Sequence, residues 1–150
     1  MGATAGTRLL TDTAKSCVNR SGAALYEDRL VGYGTPEGSE DAVDNLYTTN
    51  TGLIAGAIQE APDDDGHVTV YGPGSIVQLE SDGTGTIAYG ADVVAVQGAS
   101  LAVGGRVKTL PGSTGAYYFV GKSRSKSTVA ATAGAKLLVE LCYPTRVYVA

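Results

Sequence analysis

The stretch Ile54–Leu79, IAGAIQEAPDDDGHVTVYGPGSIVQL, decides the fold. It begins with small and apolar residues and is interrupted by the turn-forming segment Pro62–Gly66. The run His67–Tyr71 is rich in β-branched and aromatic residues, and Gly72–Gly74 separates it from a third run, Ser75–Leu79. The pattern predicts strands joined by tight turns. It holds no reactive constellation, so function is expected on surfaces rather than in a catalytic cleft.

The strand pattern continues to the end of the chain. Strands are predicted at 53–59, 67–71, 75–79, 85–89, 92–96, 101–103, 106–109, 116–121, 127–131 and 136–149, the last with a break at Pro144. Short strands at this spacing predict an all-β fold, a small β-sandwich or barrel, of which a β-tulip is one form. A turn or two of helix is predicted only around Ser39 to Leu46, where Ser39 can cap it.

Residues 1–50 have a different pattern, so the chain is predicted to divide into an extended, irregular N-terminal arm, 1–50, and a β-rich domain, 51–150. Apolar residues in the arm form isolated clusters within polar and glycine-rich sequence. Such a segment is suited to ordering against a partner, with Leu9, Leu10, Leu25 and Tyr26 as candidate anchors. The alternative is that the arm packs on its own domain.

The charges are unevenly distributed along the chain. Up to Asp92 there are 14 carboxylates and 4 Lys or Arg residues, a net charge of −10, whereas the remainder carries 1 and 7, a net charge of +6. Oppositely charged regions on one molecule can steer its docking onto a partner and fix the register of the contact. The alternative is that the two halves intermingle and neutralise each other locally.

Basic residues alternate with other residues at Lys122, Arg124 and Lys126, just after the aromatic run Tyr117–Phe119. This combination could suggest nucleic-acid binding. Alternating basic residues also protect exposed strand edges, and the pI of about 4.8 argues against a general nucleic-acid binder. No nucleic-acid partner is therefore expected.

The 150 residues fit one domain, which buries about 70% of its unfolded surface and needs no disulfide or metal ion for stability. Cys17 and Cys142 are predicted to be unpaired thiols, since sparse cysteines outside a secretory context are usually reduced. The first residues lack the apolar run of a signal peptide, and no apolar stretch is long enough to span a bilayer. Synthesis in the cytoplasm and no membrane partner are expected.

Two motifs resemble catalytic signatures without completing them. Gly121-Lys122-Ser123 ends like a phosphate-binding loop, but Ala116 stands where the first glycine is required, and the aromatic residues between favour a strand. The pattern Ser-x-x-Lys at Ser123–Lys126 lacks the companion motifs of penicillin-recognising enzymes.

The remaining chemistry-bearing residues are His67, the only histidine, and the acidic turn Asp63–Asp65. The turn could contribute to a calcium site, but no Glu occurs between Asp65 and Glu80 to complete a calcium loop. No catalytic residue, metal ligand or cofactor is predicted. An enzyme relying on His67 and Asp63–Asp65 is the third hypothesis, ranked after the two binding functions described below.

The order of these elements resembles that of bacteriophage capsid decoration, or head cement, proteins over about residues 52–143. The segments that carry the resemblance are Gly56–Pro62, Gly66–Tyr71 with Gly74, Ile87–Val94, and Phe119–Ser123 leading into Leu137–Leu141. It implies a structural virion protein without a cofactor or enzymatic activity.

Such a protein would bind the outer surface of an expanded phage head as a homotrimer and clamp neighbouring major capsid subunits. Under this hypothesis the capsid or subunit contacts are Leu9, Leu10, Leu25, Tyr26, Leu46, Tyr47, Lys122, Arg124 and Lys126. The alternative is a carbohydrate- or surface-binding β module, suggested by Tyr117, Tyr118 and Tyr143.

Overall fold

The computed structural model describes residues 14–34, 42–46, 54–98 and 100–150. Within these ranges the chain forms strands and turns and no helix. The strands are β1 (Ala14–Asn19), β2 (Arg29–Tyr33), β3 (Ala42–Asn45), β4 (Ile54–Ile58), β5 (His67–Tyr71), β6 (Ile76–Glu80), β7 (Asp92–Ala95), β8 (Val107–Thr109), β9 (Gly115–Ser123) and β10 (Lys136–Val149). The predicted all-β fold is confirmed.

The first five strands form a small closed barrel in the order β1-β3-β2-β4-β5. β1 is parallel to β3 and antiparallel to β5, which closes the barrel, while β2 runs antiparallel to both β3 and β4. Its interior is filled by seven buried side chains, namely Cys17, Leu25, Val31, Val43, Ile58, Val68 and Val70. Alternate residues of β5 point inward and outward, as expected for a strand with one buried face.

The other five strands form a second sheet in the order β6-β10-β9-β7-β8. All of its strand pairs are antiparallel. A parallel bridge between Ser81 and Val107 brings the end of β6 next to β8, so the sheet curls toward closure. We refer to this curled structure as the second sheet.

One hydrophobic core runs from the second sheet into the barrel. Leu79, Val93 and Val139 of the second sheet belong to the same buried cluster as Leu30 and Ala57 of the barrel. Full burial of a side chain such as Leu or Val stabilises a fold by about 1.5–3 kcal/mol. The shared cluster therefore ties the two sheets into one body.

The described part of the predicted arm lies in the barrel. β1, β2 and β3 come from residues 14–45, and Val18 of β1 pairs with His67 of β5. The proposed boundary at residue 50 thus falls between β3 and β4, two strands of the same barrel. Local composition does not reveal this arrangement, because each short strand becomes stable only after pairing with strands far along the chain.

The segment predicted to be a helix forms strand β3 where it is described. Ala42–Asn45 pairs with β2 on one side and β1 on the other, and three of its four residues are buried. Burial on both faces and two neighbouring strands override the weak helical signal at Ser39. Residues 39–41 lie outside the described ranges.

Most later strands agree with prediction, and β5 agrees at both ends. The segments predicted as strands at 85–89 and 127–131 form only one bridge, between Ile87 and Val129. The run 101–103 lies in a turn. β10 is continuous, and its predicted break at Pro144 is a shift of register against β9 between Leu141 and Thr145.

Candidate functional site

Five charged side chains meet between the barrel and the second sheet. Asp28 and Arg29 lie at the start of β2, Glu80 ends β6, Arg106 precedes β8, and Lys136 begins β10. We call this group the charge network. Three cations face two carboxylates, so each carboxylate is paired and the group carries one excess positive charge.

Arg29 is the most buried member of the network. Its Nη2 lies 2.8 Å from Oε2 of Glu80, and its Nε donates to the same oxygen over 3.1 Å. Nη1 donates to the carbonyl oxygens of Ala102 and Gly104 at 3.2 and 3.1 Å, while the ring of Tyr26 lies 5.1 Å from the guanidinium carbon. Burial lowers the pKa of Arg29, and the Glu80 carboxylate opposes this shift.

Glu80 accepts hydrogen bonds from cations on three separate segments. Besides Arg29, Arg106 donates to Oε2 over 3.3 Å and Lys136 to Oε1 over 2.9 Å. Burial alone would raise the pKa of Glu80, but the hydrogen bond from Lys136 and the charge of Arg29 outweigh it. The pKa of Glu80 therefore lies below its ordinary value.

Asp28 links the network to the backbone of β6. Its φ of 55° places it in the left-handed region, which Asp and Asn tolerate better than most residues. The Asp28 carboxylate accepts hydrogen bonds from Lys136 at 2.8 Å and from the Gln78 side chain at 2.9 Å. Its carbonyl oxygen accepts the Glu80 N–H at 3.0 Å, which holds β6 directly against the barrel.

A second polar link lies beside the network. The side-chain amide of Gln59, just after β4, donates to the carbonyl oxygen of Gln78 at 2.7 Å and accepts its N–H at 2.8 Å. Gln59 therefore satisfies the outer edge of β6 as a neighbouring strand would. The edge of β6 is covered by the barrel through both Gln59 and Asp28.

The network is suited to holding the two sheets together. It brings together cations and carboxylates that neutralise one another, without a cysteine, serine or histidine among its members. Among the residues in the described ranges, no group of three or more His, Cys, Asp or Glu side chains is placed to hold a metal ion.

The acidic turn makes contacts within its own domain. Asp65 forms an ion pair with Arg20, and Asp64 accepts the N–H of Gly22 at 3.0 Å. The turn is therefore tied to the loop that follows β1. His67 is exposed at the first position of β5.

Six of the predicted contact residues come from the first half of the chain, and the structure describes three of them. Leu25 and Leu46 are buried in the barrel and shared cores, so they do not reach the surface of this molecule. Tyr26 is half exposed and stacks on Arg29. Leu9, Leu10 and Tyr47 lie outside the described ranges.

The basic contact residues lie on the outer face of the second sheet or next to it. Lys122 pairs with Asp92 at 2.6 Å, and Arg124 pairs with Glu140 at 2.6 Å. Lys126 is exposed in the turn after β9. The structure thus shows paired charges at Lys122 and Arg124 rather than a continuous basic patch.

Large apolar side chains are exposed among these ion pairs. Glu140 lies opposite Lys122 on one side and opposite Ile76 on the other, and Leu138 precedes Glu140 by two residues on the same face. Ile76 is 61% exposed and Leu138 is 43% exposed. Tyr89, 64% exposed, lies over the guanidinium of Arg124 at 5.8 Å. We call this surface the outer strip; its residues are Ile76, Tyr89, Asp92, Lys122, Arg124, Leu138 and Glu140.

The charge asymmetry of the sequence is partly resolved by pairing between the two halves. Arg106, Lys122 and Lys136 all follow Asp92 in sequence, and each pairs with a carboxylate at or before it. For these residues, the two halves of the chain intermingle and their charges neutralise each other locally. The charge network itself was missed by sequence reasoning, because Lys136 and Asp28 are 108 residues apart.

Two further sequence features have clear positions. The Gly-Lys-Ser triplet is the end of strand β9, where the backbone pairs with β10 and the Ser123 side chain is buried. Neither cysteine forms a disulfide, and burial raises the pKa of Cys142.

An open groove of about 380 Å³ lies beside β8 and β9. Tyr117 lines it, with its hydroxyl 2.9 Å from the hydroxyl of Ser113, and the ammonium of Lys108 lies 6.0 Å from the Tyr117 ring centre. Thr84 and Thr109 add hydroxyl groups. Of the other two tyrosines suggested as sugar contacts, Tyr118 packs on the core, and Tyr143 is 79% exposed.

Neither a protein-family model nor a curated protein matches the chain. In the part of the chain that the structure describes, no helix has the length and apolar character needed to cross a membrane.

Proposed function

We propose that this protein is a structural virion protein that binds the outside of an expanded phage head and clamps neighbouring major capsid subunits. It acts as a homotrimer on the outer capsid surface, by binding rather than by catalysis. The proposal starts from the resemblance of the strand order to capsid decoration proteins. The structural observation that supports it is the outer strip.

The outer strip has the composition of a protein contact surface. Ile76, Tyr89 and Leu138 supply exposed apolar area, and the pairs Lys122–Asp92 and Arg124–Glu140 supply polar groups between them. Interfaces commonly combine buried apolar or aromatic anchors with a polar surround. Because both ion pairs are already formed, these side chains lose little additional freedom when a partner covers them.

The rest of the molecule gives the strip a firm support. β6 and β10, which carry Ile76 and Leu138, are attached to the barrel through the charge network. A surface that is rigid before binding loses less conformational entropy on binding. In a trimer, the second and third contacts become effectively intramolecular, so a modest strip on each subunit suffices for tight attachment.

The test is binding of the purified full chain to expanded, undecorated heads of the cognate phage. We expect saturable binding and heads that withstand higher temperature. The double variant I76T/L138T should bind markedly more weakly, since it removes exposed apolar area while placing threonine, which strands favour, at both positions. The matched control is V103T, which alters an exposed apolar residue outside the strip. Absence of binding by the unaltered protein would refute the proposal.

A carbohydrate-binding function is the second candidate, and the Tyr117 groove is the observation that favours it. An aromatic ring with surrounding hydroxyls can contact the apolar and polar faces of a sugar. A glycan array separates the two functions. Binding that Y117A abolishes and Y143A leaves intact would support this candidate, whereas an array with no signal would exclude it for the glycans presented.

A further inference from the structure

The second half of β10 has a free edge. Pairing with β6 ends where Glu140 lies opposite Ile76, and Leu141 makes the last backbone hydrogen bonds on that side, to Ser75 and Gly74. Beyond Leu141, β9 is the only described strand that pairs with β10. We call Thr145–Val149 the free edge.

Several other strand edges in the described structure are covered. The barrel is closed, the edge of β6 is covered by Gln59 and Asp28, and β8 is bridged to Ser81. The free edge is different, because the backbone groups on its outer side have no such cover among the described residues. An edge of this kind is a template for another strand.

The side chains of the free edge favour strand pairing in one register. The sequence is Thr-Arg-Val-Tyr-Val, in which four of five residues are β-branched or aromatic. Arg146 and Tyr148 lie on the same face, because they are two residues apart. Both are exposed, Tyr148 at 71%. Arg146 makes no ion pair with any residue in the described ranges.

We propose that the free edge pairs with the same edge of a second copy, antiparallel, about a two-fold axis at Val147. This register places Arg146 opposite Tyr148 of the second copy, and the reverse pair forms by symmetry. Val147 meets Val147, and Thr145 meets Val149. Every residue of the edge then has a compatible partner, because β-branched residues face one another and each cation faces an aromatic ring.

The register with its axis one residue earlier is poorer. An axis at Arg146 would put two arginines directly opposite each other, and like charges in that position destabilise a strand pair. Arg–Tyr stacking already occurs twice within the molecule, at Arg29 with Tyr26 and at Arg124 with Tyr89. Pro144, at the register shift, lacks an N–H and limits the ladder at the end nearer the barrel.

Sedimentation equilibrium of the full chain tests the pairing, over a roughly hundredfold range of concentration so that mass action is visible. We expect the mass to double as concentration rises. Y148R should return the mass to the undoubled value, since it places like charges opposite each other at both symmetric positions. Because Tyr148 is exposed, this variant should retain its fold, which circular dichroism checks.

The charge-swapped double variant R146E/Y148R should restore doubling, because it places opposite charges across the axis. The control Y143R, on β10 outside the free edge, should double like the unaltered protein. Constant undoubled mass for the unaltered protein, doubling that persists in Y148R, or failure of the double variant to restore it would overturn the proposal. A trimer would double to a hexamer in the same way. Head binding is measured separately on Y148R, so a failure of this edge contact can be distinguished from a failure of the proposed function.

Discussion

Gln59 replaces a neighbouring strand for Gln78, since its one side-chain amide satisfies both the N–H and the C=O of that residue. The pair lies where the end of β4 meets β6, so it joins the barrel to the second sheet. Its geometry allows a direct test of how much this junction contributes to stability.

Replacing Gln59 by Ala should lower the free energy of unfolding by about 1–2 kcal/mol, because two hydrogen bonds are lost at a partly exposed site. Urea denaturation measures the change. The Gln78 amide should also exchange with solvent faster, as seen by NMR. E60A, at the exposed next position, is the control and should change neither quantity. Unaltered exchange at Gln78 in Q59A would contradict the role assigned to Gln59.

Replacing Arg29 by Met should cost about 3–5 kcal/mol of stability, since it leaves a largely buried Glu80 with a partner missing. Arg20 supplies the comparison, because it forms an exposed ion pair with Asp65. R20M should cost no more than about 1 kcal/mol. Equal losses for R29M and R20M in urea denaturation would show that burial of the charge network adds nothing.

Acid should weaken the fold partly through Glu80. Its folded-state pKa lies below the ordinary value of 4.5, so its contribution is fully present above that value and is lost as pH falls through the lower, folded-state pKa. Stability measured against pH should therefore decline below about pH 4.5. E80Q should be less stable at neutral pH and should show a shallower decline. An equally steep decline in E80Q would assign the acid sensitivity to other carboxylates.

Protonation of Asp44 should stabilise the fold, whereas protonation of Glu80 destabilises it. Burial raises its pKa, although the N–H of Asn45 partly offsets the shift. The charged form is thus disfavoured in the folded state, and its cost is present at neutral pH and relieved as pH falls toward protonation. D44N should be more stable than the unaltered protein at pH 7, with the difference shrinking in acid. A loss of stability at pH 7 would mean that the charge is needed.

Gly105 should tolerate no side chain. Its φ is +84°, and an added Cβ would lie 2.2 Å from the carbonyl oxygen of Leu30. G105A should cost more than about 3 kcal/mol, because a buried clash adds to the backbone strain. Gly134 has nearly the same φ, +85°, with nothing within 4 Å of an added Cβ. G134A isolates the backbone term and should cost about 1 kcal/mol; equal costs for the two variants would argue against the clash.

Local pattern predicted the strands that stand out from their neighbours. His67–Tyr71 alternates cleanly between buried and exposed residues and is bounded by turns, so β5 was predicted at both ends. β3 was not, because Ala42–Asn45 has no alternation and depends on β1 and β2 for pairing. The same limit applies to Arg29, because its ion-pair partner Glu80 lies 51 residues further along the chain.

The outer strip was predicted only in part. Lys122 and Arg124 were chosen for their alternation, while Ile76 and Leu138 read as ordinary strand residues. Their exposure depends on which face of β6 and β10 turns outward, and this is decided by strand pairing across 60 or so residues.

The link between Asp28 and Lys136 also bears on the order in which the chain matures during synthesis. The barrel needs residues only as far as β5, so its strands can assemble while the later part of the chain is still on the ribosome. Glu80 can pair with Arg29 as soon as β6 packs on the barrel, but Asp28 must wait for Lys136, 108 residues later, to neutralise it. Until β10 arrives, the Asp28 carboxylate is unneutralised and β6 lacks the strand that joins it to β9, so this is the stage at which chaperones would be most needed.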